Sequence, residues 1–406
     1  MDFLETPLDA PWLNVLAMLV AAIIGGLLGG AIVLRSWRRL QPETHWTERA
    51  RVCFAAQAFL ATAPAFALVY AAFYCGALRY FAHEPWLHLG ALVFAAWLGA
   101  IIGSLPLRSR WRKRRVGLVE ALEESGTTIV LRSLGTYVFL VMAAALVGHG
   151  FDLAAVIIMV VALGTVFVFV THGGVPLLRF LGMLTPASPR IESIVRQVAE
   201  RSGSLAPQAY TLRWSPANAM AFPFVFAVAV TPALEKILTD EELLAVISHE
   251  FEHLRETRAQ KLTRLLGIPS LFCLFSSPVW MKEFGLAGLI MANAIVCVAA
   301  RMLGRFSRQM ETQADAQAKR EHEDPKIYAG ALEKLYEHNL VPAVHQGKHS
   351  HPNLYDRLLA VGFTPAYPRP KAPSRVANRF ALIILIACLA ASQFAVFRGM
   401  DAWASR

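Results

Sequence analysis

The chain is short of charge. Asp, Glu, Lys and Arg make up only 17% of its 406 residues, where a water-facing domain carries about 25%. That deficit excludes an assembly of two or three ordinary soluble domains, because too little polar surface is available to cover them. Cysteine is scarce as well. The five (Cys53, Cys75, Cys273, Cys297, Cys388) lie inside apolar stretches and form no C-x-x-C pair, which excludes a disulfide framework and a thiolate metal site. Acidic residues number 29 against 39 Lys and Arg, a net charge of +10. The basic residues cluster beside apolar runs, as they do at membrane flanks, so nucleic acid is not implied as a partner. Apolar residues, in contrast, are abundant at 56%, with a mean hydropathy of +0.45. A chain of this kind hides much of its surface in lipid, and neither disorder nor a collagen-like repeat is compatible with it.

A membrane-spanning helix needs roughly 20 apolar residues to cross about 30 Å of hydrocarbon. Candidates are Trp12–Leu34, Val52–Leu78, Trp86–Leu107, Ser133–Val147, Leu153–Thr171 and Phe380–Phe397. The first is preceded by Asp2, Glu5 and Asp9 and reads as a retained anchor, not a cleaved signal. Residues 1–11 hold no Lys or Arg, 35–51 hold five, the connection around Arg79 one, 108–132 seven and 148–152 none. This alternation places the N-terminus outside and the chain in the cytoplasm after the fifth span. Residues 1–171 thus form an N-terminal membrane region of about five helices in a multi-pass protein.

Residues 172–263 are more polar. Ile191–Arg201 reads as an amphipathic helix ending before Gly203, and Gln208–Trp214 and Ala221–Val230 read as strands. Thr239 with Glu242 three residues on is a capping box, and Leu243, Leu244, Ile247, Phe251 and Leu254 continue a helix from it. Within 264–303, Leu265–Trp280 and Phe284–Ala300 are apolar and separated by Met281-Lys282-Glu283. They form a hairpin, spanning or re-entrant, that returns the chain to the side it left. Residues 304–378 are polar again, with helices near 305–321 and 325–338 and a stiff Tyr367–Lys371 linker. A final span follows at 379–398.

His249-Glu250-Phe251-Glu252-His253 carries the chemistry. Residues four apart on a helix share a face, so both imidazoles reach one ion, and Glu250 lies where a carboxylate can take a proton from water. A chain of this composition produces such a spacing by chance about 0.03 times. A catalytic zinc site needs a third protein ligand and one open position. Glu311 supplies the candidate ligand in Glu311-Thr312-Gln313-Ala314-Asp315, and Asp315 can hold the far nitrogen of a ligand histidine. The hairpin between the two motifs brings them to one side of the membrane.

The motifs HEFEH and ETQAD around an apolar hairpin resemble the HtpX-like and CAAX prenyl endopeptidase group of integral-membrane zinc metalloproteases, over about residues 185–360. Asn218-Ala219-Met220-Ala221 is similar to that group's N-A-F segment, with Met220 in place of phenylalanine. His351-Pro352, with Arg357 six residues after the histidine, is similar to its H-P-x-x-x-x-R motif. The resemblance implies a mainly α fold: a polytopic membrane helical bundle with a cytoplasmic zincin-like domain carrying a small β-sheet. It implies one Zn2+ per chain on His249, His253 and Glu311, Glu250 as general base, and Asp315 and Arg357 in support. It also implies that His351 assists the oxyanion and that Asn218, Ala219, Met220 and Ala221 form the substrate strand. The expected activity is endoproteolysis of membrane or membrane-associated proteins at the cytoplasmic face of a bacterial inner membrane, in quality control or processing. A catalytically silent scaffold with the same fold is the alternative. A transporter is disfavoured, because the spans hold almost no ionisable residues apart from His88. Glu252 is expected to pair with Arg255 or Arg258.

Overall fold

A computed structural model describes residues 115–146, 149–320, 324–345 and 352–373, the helix Pro85–Trp111 with its side chains at 94, 95 and 97–109, and scattered positions before residue 55. Almost all of Val52–Leu78, the whole of Phe380–Phe397, much of Trp12–Leu34 and His351 lie outside the described residues. The chain divides into two compact units, residues 1–125 with 371–406, and residues 126–370. The first contains α1 (Pro85–Trp111), and α2 (Leu118–Thr128) begins in it. Within that unit Arg108 donates to Glu124 at 3.0 Å.

The second unit begins with apolar helices. After a π-helical turn at Ile129–Ser133 come α3 (Leu134–Ala145) and α4 (Leu153–Val168). Asp152 caps α4 by accepting from the Ala155 N–H, which satisfies one of the orphan donors of its first turn. A second π-helical turn joins α4 to α5 (Gly174–Phe180). The stretch Leu153–Phe180 is long and apolar enough to cross a membrane. It leaves Val156, Ile157, Val160, Val161 and Phe167 exposed on one side, as a lipid-facing helix does.

A four-stranded sheet follows, of β1 (Leu184–Pro186), β2 (Gln208–Leu212), β3 (Ala219–Phe222) and β4 (Ala227–Val230), in the order β1-β2-β4-β3. β2 and β4 are parallel and the other pairs antiparallel. The single strand expected over Ala221–Val230 is instead a hairpin. Pro223 has no N–H to give a ladder, and Phe226, at φ 49°, turns the chain. That places fully buried β4 inside the sheet and β3 at its edge.

Ser188 caps α6 (Pro189–Arg201), which lies between β1 and β2 in sequence and ends before Gly203 at φ 60°. α7 (Pro232–Ile237) leads into α8 (Asp240–Leu254), whose capping box of Thr239 and Glu242 is formed as the sequence suggests. Ile191 and Val195 of α6, Val228 and Val230 of β4, and Leu243, Ile247 and Phe251 of α8 make one apolar core. Burying each such side chain contributes about 1.5–3 kcal/mol, so the helix bearing the histidines is anchored along its length.

α9 (Arg258–Leu265) and α10 (Gly267–Phe275) precede the long α11 (Ser277–Arg320). α11 is two helices, because Gly285 breaks it at φ 58°, ψ −146°, a conformation essentially restricted to glycine. Met281, Lys282 and Glu283, expected as the break, are helical, and the reversal comes two residues later. Gly267 and Leu303 lie side by side at the other end, so the chain goes down and returns. The descending arm from Gly267 to Gly285 covers about 27 Å at 1.5 Å per residue, close to a hydrocarbon core of about 30 Å. At the tip the Phe151 N–H donates to Glu283 at 3.1 Å, and Phe151 packs edge-on against Trp280 and Phe284. The hairpin tip and the α3–α4 turn therefore share one end of the unit. α12 (Pro325–Asn339) and α13 (Leu354–Ala360) complete it.

Candidate metal centre

His249 and His253 sit in the last turns of α8, their rings 5.1 Å apart and at 87° to one another. The polar end of α11 runs against α8 and brings Glu311 to them. Glu311 Oε2 is 3.4 Å from His249 Nε2, and its Oε1 is 3.6 Å from His253 Nε2. One ligand atom from each of the three residues lies within 4.8 Å of the others, and all three residues are buried. Ligands about 2.0–2.1 Å from a tetrahedral ion stand about 3.3–3.4 Å apart, so a buried His-His-Glu donor set at these distances fits a divalent metal. Among the described residues this is the one such group.

Each imidazole is held from behind. His249 Nδ1 lies 3.1 Å from Asp315 Oδ1 and 3.0 Å from the Tyr328 hydroxyl. Tyr328 donates to Asp315 Oδ1 at 2.7 Å. Arg357, from α13, donates to both Asp315 oxygens at 2.8 and 2.6 Å and to the Tyr328 hydroxyl at 3.2 Å. Burial disfavours charge on Asp315, but the Arg357 guanidinium and His249 outweigh it and hold the carboxyl well below the usual range. Burial also opposes charge on His249, yet Asp315 and Glu311 more than offset that and raise its pKa to about 9. On the other imidazole, His253 Nδ1 lies 3.1 Å from Glu256 Oε1. Glu256 is in turn gripped by Arg264 of α9, through Nε at 2.7 Å and through Nη2.

Glu250 points the other way, to the sheet. Its Oε2 accepts from the Ala221 N–H at 2.9 Å. Asn218 turns its backbone to Thr231, through its carbonyl and its N–H, both at 2.9 Å. In an antiparallel pair the facing groups alternate, so Ala219 and Ala221 present their backbone polar groups along the outer edge of β3, beside Glu250. Asn339 fixes the start of this strand, accepting from the Ala217 N–H at 2.9 Å and donating to its carbonyl at 2.8 Å.

The structure therefore brings together His249, His253, Glu311, Glu250, Asp315, Arg357 and the Asn218–Ala221 segment; His351 lies outside the described residues. Glu252 makes no ion pair among the described residues, and the carboxylate that pairs near this helix is Glu256, with Arg264. Tyr328, Glu256, Arg264 and Asn339 are not singled out by the sequence. Only Glu256 carries a readable signal, three residues after a ligand-type histidine.

Residues 186–362 match the model of peptidase family M48. Protease HtpX of Legionella pneumophila is 29% identical over 175 residues, covering 38% of this chain and 60% of that protein. A protease HtpX homolog of Thermoplasma acidophilum is 34% identical over 145 residues, 32% of this chain and 46% of the relative. One from Syntrophobacter fumaroxidans is 27% identical over 227 residues, 52% and 80% respectively. The chain thus spans about half the length of the first two of these curated relatives and most of the third. The family model lies across both halves of the His-His-Glu cluster, so residues 186–362 are similar to peptidase family M48 and to the HtpX proteases.

Proposed function

We propose that the chain is a membrane-bound, zinc-dependent endopeptidase that cleaves extended segments of membrane or membrane-associated proteins at the cytoplasmic face, in quality control or processing. The observation that carries the reading is the convergence of His249, His253 and Glu311 within 4.8 Å, with Glu250 between this cluster and the edge strand. The three residues would hold one Zn2+ and leave a position open. When bound, the ion supplies Lewis acidity that activates a water and polarises a peptide carbonyl.

The remaining chemistry belongs to the chain's own groups. The outer edge of β3, at Ala219 and Ala221, pairs with an extended substrate and sets its carbonyl near Glu250. A substrate carbonyl that pairs with the Ala221 N–H takes the place of Glu250 there, and so releases the carboxylate for proton transfer. Glu250 takes the proton of the attacking water and passes it to the leaving amine. Asp315 and Arg357 keep His249 in position, and His351 is the candidate for stabilising the oxyanion. Embedding the site beside an apolar hairpin favours substrates that are themselves in the membrane.

The test is metal analysis of the detergent-purified full chain together with cleavage of an unfolded membrane protein. Wild type should carry one zinc and cleave. Glu250→Gln should keep the zinc and lose about 100-fold or more in rate, the range for removing a general base. His249→Ala should lose both. Zinc without turnover in wild type would instead indicate the silent scaffold.

A further inference from the structure

The two ligand imidazoles are backed differently. Behind His249 the guanidinium of Arg357 reaches Asp315 and Tyr328. Behind His253 the guanidinium reaches the ring itself: Arg264 Nη2 is 3.2 Å from His253 Nδ1, while Glu256 Oε1 is 3.1 Å from the same nitrogen. A neutral imidazole has one N–H, and these two neighbours ask for it in opposite places. With the hydrogen on Nδ1, His253 donates to Glu256 and turns an Nε2 lone pair towards the cluster. With the hydrogen on Nε2, Nδ1 accepts from Arg264, and Nε2 presents an N–H towards Glu311, 3.6 Å away, where it cannot ligate.

We propose that Glu256 is a positioning residue that selects the ligating tautomer of His253 against Arg264, whose own contact with the ring favours the non-ligating one. The inference rests on the metal-centre reading above. The Glu256 side chain is 3% exposed and that of Arg264 36%, so the carboxylate is fixed by its surroundings. It engages Arg264 through both oxygens and so keeps the guanidinium occupied. Arg264 also sits on α9, the short helix that leads into the apolar hairpin, so the competing donor comes from the element entering the membrane. Removing Glu256 therefore does more than delete a support: it frees Arg264 to hold His253 in the wrong form.

A double-mutant cycle on the full chain in detergent separates this from simple support. Zinc affinity is measured by chelator competition for wild type, E256A, R264M and E256A/R264M, with thermal melting of each metal-free protein. E256A should bind about 10–100-fold more weakly, the usual effect of losing such a hydrogen-bond partner. R264M should stay within about threefold of wild type, yet in the E256A background it should recover about fivefold or more. E256Q, run beside E256A, keeps the side-chain shape should the alanine variant fail to fold, and should show a smaller loss with the same rescue. A mere structural or long-range charge effect of Arg264 would change affinity by the same factor in both backgrounds, and that result overturns the proposal. So does binding by E256A and E256Q within about twofold of wild type. A wild-type chain that binds no zinc overturns the metal-centre reading itself, and this outcome is distinguishable because it precedes any comparison of variants.

Discussion

His249 is a base that the fold keeps protonated until something replaces the proton. Burial works against its charge, but Asp315 at Nδ1 and Glu311 at Nε2 outweigh that and raise the pKa to about 9. A metal ion needs the Nε2 lone pair, so at pH 7 binding has to displace a proton. Each unit of pH below about 9 therefore weakens apparent zinc affinity by about tenfold through this group alone. Chelator competition at pH 6.5 and 7.5 should therefore differ by about tenfold, with stronger binding at the higher pH. An unchanged constant would mean that His249 is already neutral. In the metal-free chain the same raised pKa stabilises the fold below the ordinary value of 6.5, and that contribution is lost as pH rises through about 9. High pH thus favours the metal and weakens the empty protein.

Among the elements, the ones legible in the sequence are those whose signal is local. The capping box and the i, i+4 histidines of α8 lie within fifteen residues of one helix, and helical spacing alone makes them neighbours. Glu311 is legible because a hairpin must bring the chain back. Contacts that bypass chain order are not legible: Tyr328 reaches Asp315 from another helix, and Arg264 reaches Glu256 across the bend between α8 and α9. The uniformly apolar run after Asn218 conceals the β3–β4 turn, since Pro223 is its one strong mark. The charged Met281–Glu283 triplet draws attention away from Gly285, where the reversal occurs. Gly285 makes a specific demand, because space is no obstacle: a Cβ there meets nothing within 4 Å. Only its positive φ resists substitution. Gly285→Ala should destabilise the hairpin by about 1–3 kcal/mol, the cost of such a backbone conformation for a non-glycine residue. Gly164→Ala, also in open space but with no positive φ, should stay within about 0.5 kcal/mol. Thermal melting of both detergent-solubilised variants checks the contrast, and equal stabilities would mean that the reversal relaxes.

At the scale of the whole molecule, the proposed active site depends on which side of the bilayer each segment occupies. His249 precedes the hairpin and Glu311 follows it, and the two meet at 3.4 Å, so the hairpin must begin and end on the same side whatever its depth. Its tip lies with the α3–α4 turn, where Phe151 meets Glu283 and Trp280. A descending arm of about 27 Å is long enough to carry that tip nearly across the hydrocarbon. The proposed cytoplasmic catalytic domain then requires Lys282 to face outside and Asp240, at the start of α8, to face inside. Lys282→Cys and Asp240→Cys, placed singly in a chain whose five native cysteines are replaced by serine, report this directly. In intact bacterial cells with a permeabilised outer membrane, an impermeant maleimide should label Cys at 282 and should label Cys at 240 only after the inner membrane is lysed. Labelling of both positions from inside would make the hairpin re-entrant while leaving the metal centre possible. Labelling at 240 from outside would place the catalytic domain on the opposite face and remove the cytoplasmic assignment.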